Sequence, residues 1–283
     1  MASELVTRAV LSPTMLLLVG GIYWLDLSGA LGVKEGALSA GLLGLLGVGG
    51  VWEFVTLLRN GGFAVGKRTL LVATTLLLVS AFAFGWADLD HELYPLVAGT
   101  LLLLFPLALR SLGRDDMHLG LERQGATLLG FIMVAWPMYL AMGTCFRCLP
   151  SLLYVVLICK GGDIGGYCFG RLLGRRKLIP HVSPGKTVEG ALGSLATSVA
   201  LAWALNAPML GDRVDMPAWG ALLTGVVLNF TTQTGDLIES LLKRRCNAKD
   251  SSTLLPAHGG ILDLVDSLLF SFCAWFLVLV LLT

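Results

Sequence analysis

Stretches of about 20 mostly apolar residues recur along this chain between short polar breaks, and a run of that length is what a helix needs to cross a membrane. They fall near 8–25, 37–58, 69–87, 94–110, 125–144, 151–173, 188–206, 217–238 and 264–282. Nine of them use up most of the 283 residues and leave loops too short for a separate soluble domain. No run alternates with a period of two, which argues against a membrane barrel. The first stretch is not followed by a small-residue cleavage pattern and is expected to be retained as a span. The expected fold is therefore all-α, a polytopic integral membrane bundle of nine transmembrane helices. It forms a single membrane domain, 1–283, with scaffold spans in 1–150 and catalytic spans and loops in 151–283.

Composition narrows the function. Hydrophobic residues make up 55% and charged residues 14%, against about 45–50% and about 25% in soluble domains. That excludes disorder and a basic nucleic-acid-binding protein. With a net charge of +1, attraction of an anionic partner has to be local. Lys and Arg set the orientation, since cytoplasmic loops carry the excess. With the N-terminus in the cytoplasm, the cytoplasmic segments hold 16 of the 20 Lys and Arg, and the other side holds 3, Lys34, Arg147 and Arg213. Lys160 lies within a span. The chain is thus expected in the inner or plasma membrane, with its most charged loops, after the sixth and eighth spans, in the cytoplasm.

Those loops carry the chemistry. Asp163, in Lys160-Gly-Gly-Asp-Ile-Gly-Gly-Tyr167, lies in an apolar helix, where an ionisable residue marks a functional site by default. Lys160 is three residues earlier and can share its helix face. In Ser183-Pro-Gly-Lys186-Thr187-Val-Glu189-Gly190, Ser183-Pro184 reads as a turn and Glu189 as a cap of the helix that follows. Lys186 and Thr187 would sit at that helix's N-terminus, where free N–H groups favour an anion. The Gly-Lys-Thr triplet lacks the upstream Gly and the strand of a P-loop. Cys145-Phe-Arg-Cys148 falls in an outside loop and leaves a disulfide open.

The richest stretch is 235–267. Asp236, Glu239, Ser240 and Lys243 follow one helical stripe at i, i+3, i+4 and i+7. Gly259 and Gly260, after His258, let the backbone approach a ligand closely. Asp263 and Asp266 are one turn apart. Oxygen-only carboxylates near basic residues suit Mg²⁺ shared with substrate phosphates.

At these residues the chain resembles the integral-membrane phosphatidate cytidylyltransferases (CDP-diacylglycerol synthases). Ser240, Lys243, Arg244, Lys249, Asp250, Pro256, His258, Gly259, Gly260, Asp263 and Asp266 match that family's signature at its spacing. The Asp163–Arg171 and Ser183–Gly190 segments look like further family motifs, and Trp52-Glu53 with Gly61-Gly62 is a fainter echo. Leu264 departs from the signature, which has Arg there, and Gly185 and Val188 replace a usual Lys and Trp.

The resemblance implies that phosphatidate and CTP react to give CDP-diacylglycerol and pyrophosphate in phospholipid biosynthesis, with Mg²⁺ as cofactor. It implies Asp236 and Asp263 as principal metal ligands, with Asp266 and Asp163 as further ones. Lys243, Lys249 and His258 join Asp236 and Asp263 as catalytic residues. Ser183, Lys186, Thr187, Ser240, Arg244, Gly259 and Gly260 are the expected substrate contacts. CTP, phosphatidate and membrane lipid are the implied partners, a homodimer is a candidate assembly, and nucleic acid is excluded. Two other readings remain open at this stage. One is a CTP-dependent transferase acting on another lipid phosphate; the other is a transporter with Lys160 and Asp163 as an intramembrane relay. A transporter would move solute without consuming CTP.

Overall fold

The computed structural model describes residues 14, 17–89, 93–112, 117–254 and 259–282. Pro256 and His258 lie outside the described residues. The fold is nearly all helix. Within the described residues the apolar stretches are helical, and six helices are long and apolar enough to cross a membrane. The chain divides into two compact units, residues 1–147 with 245–265 and residues 148–244 with 266–283.

The first unit holds α1 (Leu17–Ser28), α2 (Ala37–Asn60), α3 (Lys67–Trp86), α4 (Leu93–Leu112), α5 (Met117–Gly130) and α6 (Trp136–Arg147). A π-helical turn over Phe131–Ala135 carries α5 into α6, and Gly120–Arg147 together are membrane-length. Small residues along α2 let its neighbours approach. A Cβ at Gly47 would stand 2.8 Å from Leu78 of α3 and 3.1 Å from Met138 of α6, and one at Gly50 would stand 3.3 Å from Val134. Such close packing is how helices associate where lipid offers no hydrophobic contrast. The start of α2 is capped from a distance. Buried Asp26 accepts from the Gly36 amide at 3.0 Å and the Ser39 amide at 2.8 Å, satisfying donors that a helix N-terminus leaves orphaned.

The second unit holds α7 (Leu149–Leu173), a hairpin of β1 (Lys177–Ile179) and β2 (Ser183–Thr187), α8 (Val188–Leu205), α9 (Ala218–Arg245) and the C-terminal part of α10 (Ile261–Leu282). α7 and α8 meet through glycines. Added Cβ atoms at Gly162, Gly165 and Gly193 would collide with Ser198, Thr197 and Phe169, and one at Gly190 would stand 2.8 Å from the Gly166 carbonyl. Polar pairs then tie the bundle. Asn229 donates to Ser194 at 2.6 Å and Ser198 at 3.1 Å, and Thr232 meets Ser271 at 2.9 Å. α9 is the one long helix of this unit outside the membrane-length set. Its second half, Thr231–Arg245, turns polar.

Three expectations are corrected. The fold is not purely helical, because Ser183–Thr187 is a strand, antiparallel to Lys177–Ile179, with Lys177 opposite Thr187 and Ile179 opposite Ser183. The turn expected at Ser183-Pro184 is therefore absent. Pro184 is accommodated because a two-stranded ribbon has only edge strands, where a missing N–H costs least. Glu189 is also not the cap of α8. That role falls to Thr187, whose Oγ1 accepts from the Gly190 amide at 3.1 Å. Cys145 and Cys148 are both free and buried.

Candidate active site

A cleft of about 430 Å³ opens among α7, the hairpin, α8 and α9, all within the second unit. Asp163 and Arg171 line it from α7, Ser183, Lys186 and Thr187 from β2, and Gln233 and Asp236 from α9. Much of the remaining wall is glycine, at 166, 170, 185 and 190. A ligand there would meet backbone rather than side chains. The glycines that let α7 and α8 close on each other thus also hollow out the cleft beside their contact.

The hairpin delivers the central contact. β2 leads directly into α8, so Lys186 is fixed one residue before the capping Thr187. Glu189 ties the incoming strand down from the other side, accepting from the backbone amides of Arg175 at 3.0 Å and Arg176 at 3.2 Å. Lys186 Nζ then reaches Asp236 Oδ2 at 2.6 Å. Ser240 Oγ stands 3.4 Å from Asp236 Oδ1, one turn along the same helix.

Deeper along α9 lies a second acidic pair. Glu239 is 3% exposed. Its Oε2 accepts from Lys243 Nζ at 2.6 Å, while its Oε1 has no hydrogen-bond partner among the described residues. The carboxyl of Asp266, on α10, lies within hydrogen-bond reach of Glu239. Gly235 allows this approach, since a Cβ there would stand 2.9 Å from the Asp266 carbonyl oxygen. Lys160 completes the surroundings, donating to Ser267 Oγ at 2.8 Å. Asp163, Asp236 and Asp266 share one electrostatic neighbourhood with Lys160 and Lys186.

No three Asp, Glu, His or Cys side chains among the described residues converge closely enough to cage a metal. Mg²⁺ does not ask for a cage. It keeps several waters and binds through one or two carboxylates plus substrate phosphates. Two carboxyl groups that face each other with an orphaned oxygen between them are also where a proton or cation belongs. The all-oxygen donor set of the second unit fits a hard divalent ion on both counts.

The signature residues 249–263 fall in the first unit and are organised by a different pair of acids. Glu53 of α2 is 4% exposed. It accepts from Ser251 Oγ at 3.1 Å, Ser252 Oγ at 2.7 Å and the Leu262 amide at 2.8 Å. Asp263 Oδ2 accepts from the Ser251 amide at 2.8 Å, Ser251 Oγ at 2.7 Å and the Gly260 amide at 2.7 Å. Gly259 has a φ of +84°, a conformation open to few other residues. A Cβ at Gly260 would collide with Glu53 and Ser251. The Gly-Gly pair is thus explained by its own folding. Lys249 and Arg244 are exposed.

The sequence profile of the cytidylyltransferase family matches residues 7–282. The chain belongs to the cytidylyltransferase family. Among relatives, it is 33% identical over 225 residues to a phosphatidate cytidylyltransferase of Haemophilus influenzae, covering 77% of this chain and 73% of the relative. It is 34% identical over 217 residues to that of Bacillus subtilis, covering 72% and 74%. A phosphatidate cytidylyltransferase of Staphylococcus epidermidis is 44% identical over 122 residues, 43% of this chain and 46% of that one. Six membrane-length apolar helices in a member of this family make the chain a multi-pass membrane protein.

Of the residues singled out in the sequence, the structure gathers Asp163, Ser183, Lys186, Thr187 and Asp236 around one cleft. It groups Lys243 and Asp266 with Glu239, and it sets Asp263, Gly259, Gly260 and Lys249 in the first unit. Glu53, Glu239, Arg171 and Gln233 were not singled out as site residues. Glu239 had a usable signal, an acid on the Asp236 stripe at a buried position. Glu53 had only the faint Trp52-Glu53 echo, because its partners lie about two hundred residues away in the sequence.

Proposed function

We propose that this chain transfers CMP from CTP to phosphatidate, giving CDP-diacylglycerol and pyrophosphate. The observation that carries the reading is the Lys186–Asp236 contact inside a cleft walled by glycine backbone, in a chain of this family. A phosphate monoester has a second pKa of about 6 and is largely dianionic at neutral pH. It is a ready nucleophile and needs no dedicated base. One of its oxygens attacks the α-phosphorus of CTP, the bond from that phosphorus to the bridging oxygen breaks, and pyrophosphate leaves with the electron pair.

Positioning and charge neutralisation are what such a reaction requires. Lys186 and Arg171 meet phosphate oxygens at the cleft wall, and the amides beside Thr187 add the positive end of α8. Asp236 aims the Lys186 ammonium, and Ser240 steadies Asp236. Lys243 pairs with Glu239 beside Asp266. Lys249, Arg244, His258 and the Gly259-Gly260 backbone keep the phosphate-contacting roles that the signature implies, and Asp263 holds Ser251 and Gly260 in place. Mg²⁺, held by Asp236 and Asp163 or Asp266, would neutralise developing charge on the phosphates.

The proposal includes the topology: nine spans, the N-terminus inside, and the 175–187 and 243–258 loops in the cytoplasm, where CTP is. The Lys and Arg distribution supports it. Incubation of the purified protein with labelled CTP and Mg²⁺ across a panel of lipid phosphates tests the reaction. Label should enter lipid with phosphatidate, with equal release of pyrophosphate. Label entering only another lipid phosphate, or none, would overturn the substrate. Impermeant thiol labelling of single cysteines tests the topology, and external labelling at position 176 would overturn it.

A further inference from the structure

The first unit carries two adjoining hollows. One is a groove of about 460 Å³ between α3 and α4, lined by Val72, Leu76 and Leu77 of α3 and Ala98, Gly99 and Leu102 of α4. The other is a basin of about 420 Å³ lined by Arg59, Lys67, Arg68, Thr69 and Arg123. Arg68 and Thr69 border both, so the apolar groove opens at its end onto four cations.

The groove exists because α4 presents small residues to α3. At Gly99 even a Cβ would stand 3.3 Å from Leu77, and Pro106 interrupts the α4 hydrogen-bond ladder at the groove's head. The α3 lining runs from Thr69 to Ser80 at helical spacing, which at about 1.5 Å per residue is about 16 Å. That is close to the roughly 15 Å depth of one leaflet's hydrocarbon. Val72, Leu76 and Leu102 are 59%, 62% and 70% exposed, so acyl chain can reach them.

No acid is among the described residues that line the basin. Arg59 and Arg68 have no ion-pair partner among the described residues. Lys67 and Arg68 occupy the first turn of α3, which contains no acid. The helix dipole repels cations there and favours an anion. Lys67 Nζ rests 5.6 Å from the ring centroid of Trp52, an aromatic type concentrated at membrane interfaces. A cationic basin at interface depth, continuous with a leaflet-deep apolar groove, has the shape and charge of one amphiphile.

We propose that the first unit binds one anionic phospholipid, with an acyl chain in the α3–α4 groove and its phosphate on Arg59, Lys67, Arg68 and Arg123. This site is separate from the cleft and does not depend on the reaction assigned to it. The test is native mass spectrometry of the purified full chain in detergent with added phosphatidylglycerol or phosphatidylcholine. One phosphatidylglycerol should be retained per chain, at least tenfold in preference to phosphatidylcholine. The Arg59→Gln/Arg68→Gln double variant should lose that preference by about tenfold or more. Ala98→Phe, which fills the groove and leaves the cations, should reduce retention of phosphatidylglycerol while inorganic phosphate fails to displace the remainder. Equal retention of both lipids, or a preference untouched by the double variant, would overturn the proposal. Complete displacement by millimolar inorganic phosphate would also overturn it, in favour of a simple anion site. CTP turnover measured on the same preparations reads the cleft separately, so failure of either assignment is visible on its own.

Discussion

Each unit holds a pair of acids built on one buried glutamate, Glu53 with Asp263 and Glu239 with Asp266, and they are satisfied in opposite ways. Glu53 and Asp263 each receive hydrogen bonds from amides and serine hydroxyls at 2.7–3.1 Å. Glu239 and Asp266 face each other, with Lys243 on one side and an oxygen left without a partner. An acid whose lone pairs are filled by its own chain organises backbone. An acid left facing another acid keeps an oxygen open to a proton or a cation. All four are signature or near-signature residues, so position in a motif does not separate these roles. What fills the carboxylate oxygens does.

Substitutions can break or sharpen that contrast. The largest effect is expected from Asp236→Asn, which removes the charge that aims Lys186 and would help hold Mg²⁺. Incorporation of labelled CTP into lipid should fall by roughly 100- to 1,000-fold, the loss typical when a group stabilising transition-state charge is removed, with unchanged yield and thermal unfolding. Near wild-type turnover would remove Asp236 from the site. Lys160→Met should follow, lowering turnover by roughly tenfold or more. It removes the cation that Asp163 and Asp266 share, and an intramembrane charge persists only with partners.

Glu53→Gln should act on stability first. An amide cannot accept three strong hydrogen bonds as a carboxylate does, and hydrogen bonds to charged groups contribute about 1.5–3 kcal/mol each. A fall of about 2 kcal/mol in unfolding free energy is expected, with the Mg²⁺ concentration for half-maximal turnover unmoved. A shifted Mg²⁺ dependence would instead place Glu53 among the charge-holding acids and collapse the contrast. Asp263→Asn gives the complementary reading. As an organiser of the loop it should lower turnover without moving the Mg²⁺ midpoint. Ser240→Ala should do least, under about twofold in turnover, since its 3.4 Å contact is at the weak end of hydrogen-bond geometry.

The helices were legible in the sequence because apolar runs report local periodicity, and α9 was legible as one helix because its polar stripe keeps step from Asp236 to Lys243. The same spacing places Glu239 and Lys243 one turn apart, yet it gives a role to Lys243 alone, and the structure pairs the two. The hairpin was missed because three- and five-residue strands containing a proline carry almost no periodic signal. Glu53 was nearly invisible, since a helix reaching across the chain to serines and an amide near its end leaves no trace in local pattern. The Gly259-Gly260 pair was read as room for a ligand, whereas at Gly260 the space is already taken by Glu53 and Ser251.

The glycine-to-glycine contact of α7 and α8 also bears on biogenesis. Those helices and the hairpin between them are contiguous in sequence, and such segments fold early as a chain is synthesised. The glycine wall, Asp163, Lys186 and the Thr187 cap therefore belong to a helical pair that can form on leaving the insertion machinery. Asp236 is translated later, on α9. Until α9 inserts, the cleft lacks the wall that carries Gln233 and Asp236, and Lys186 lacks its Asp236 partner.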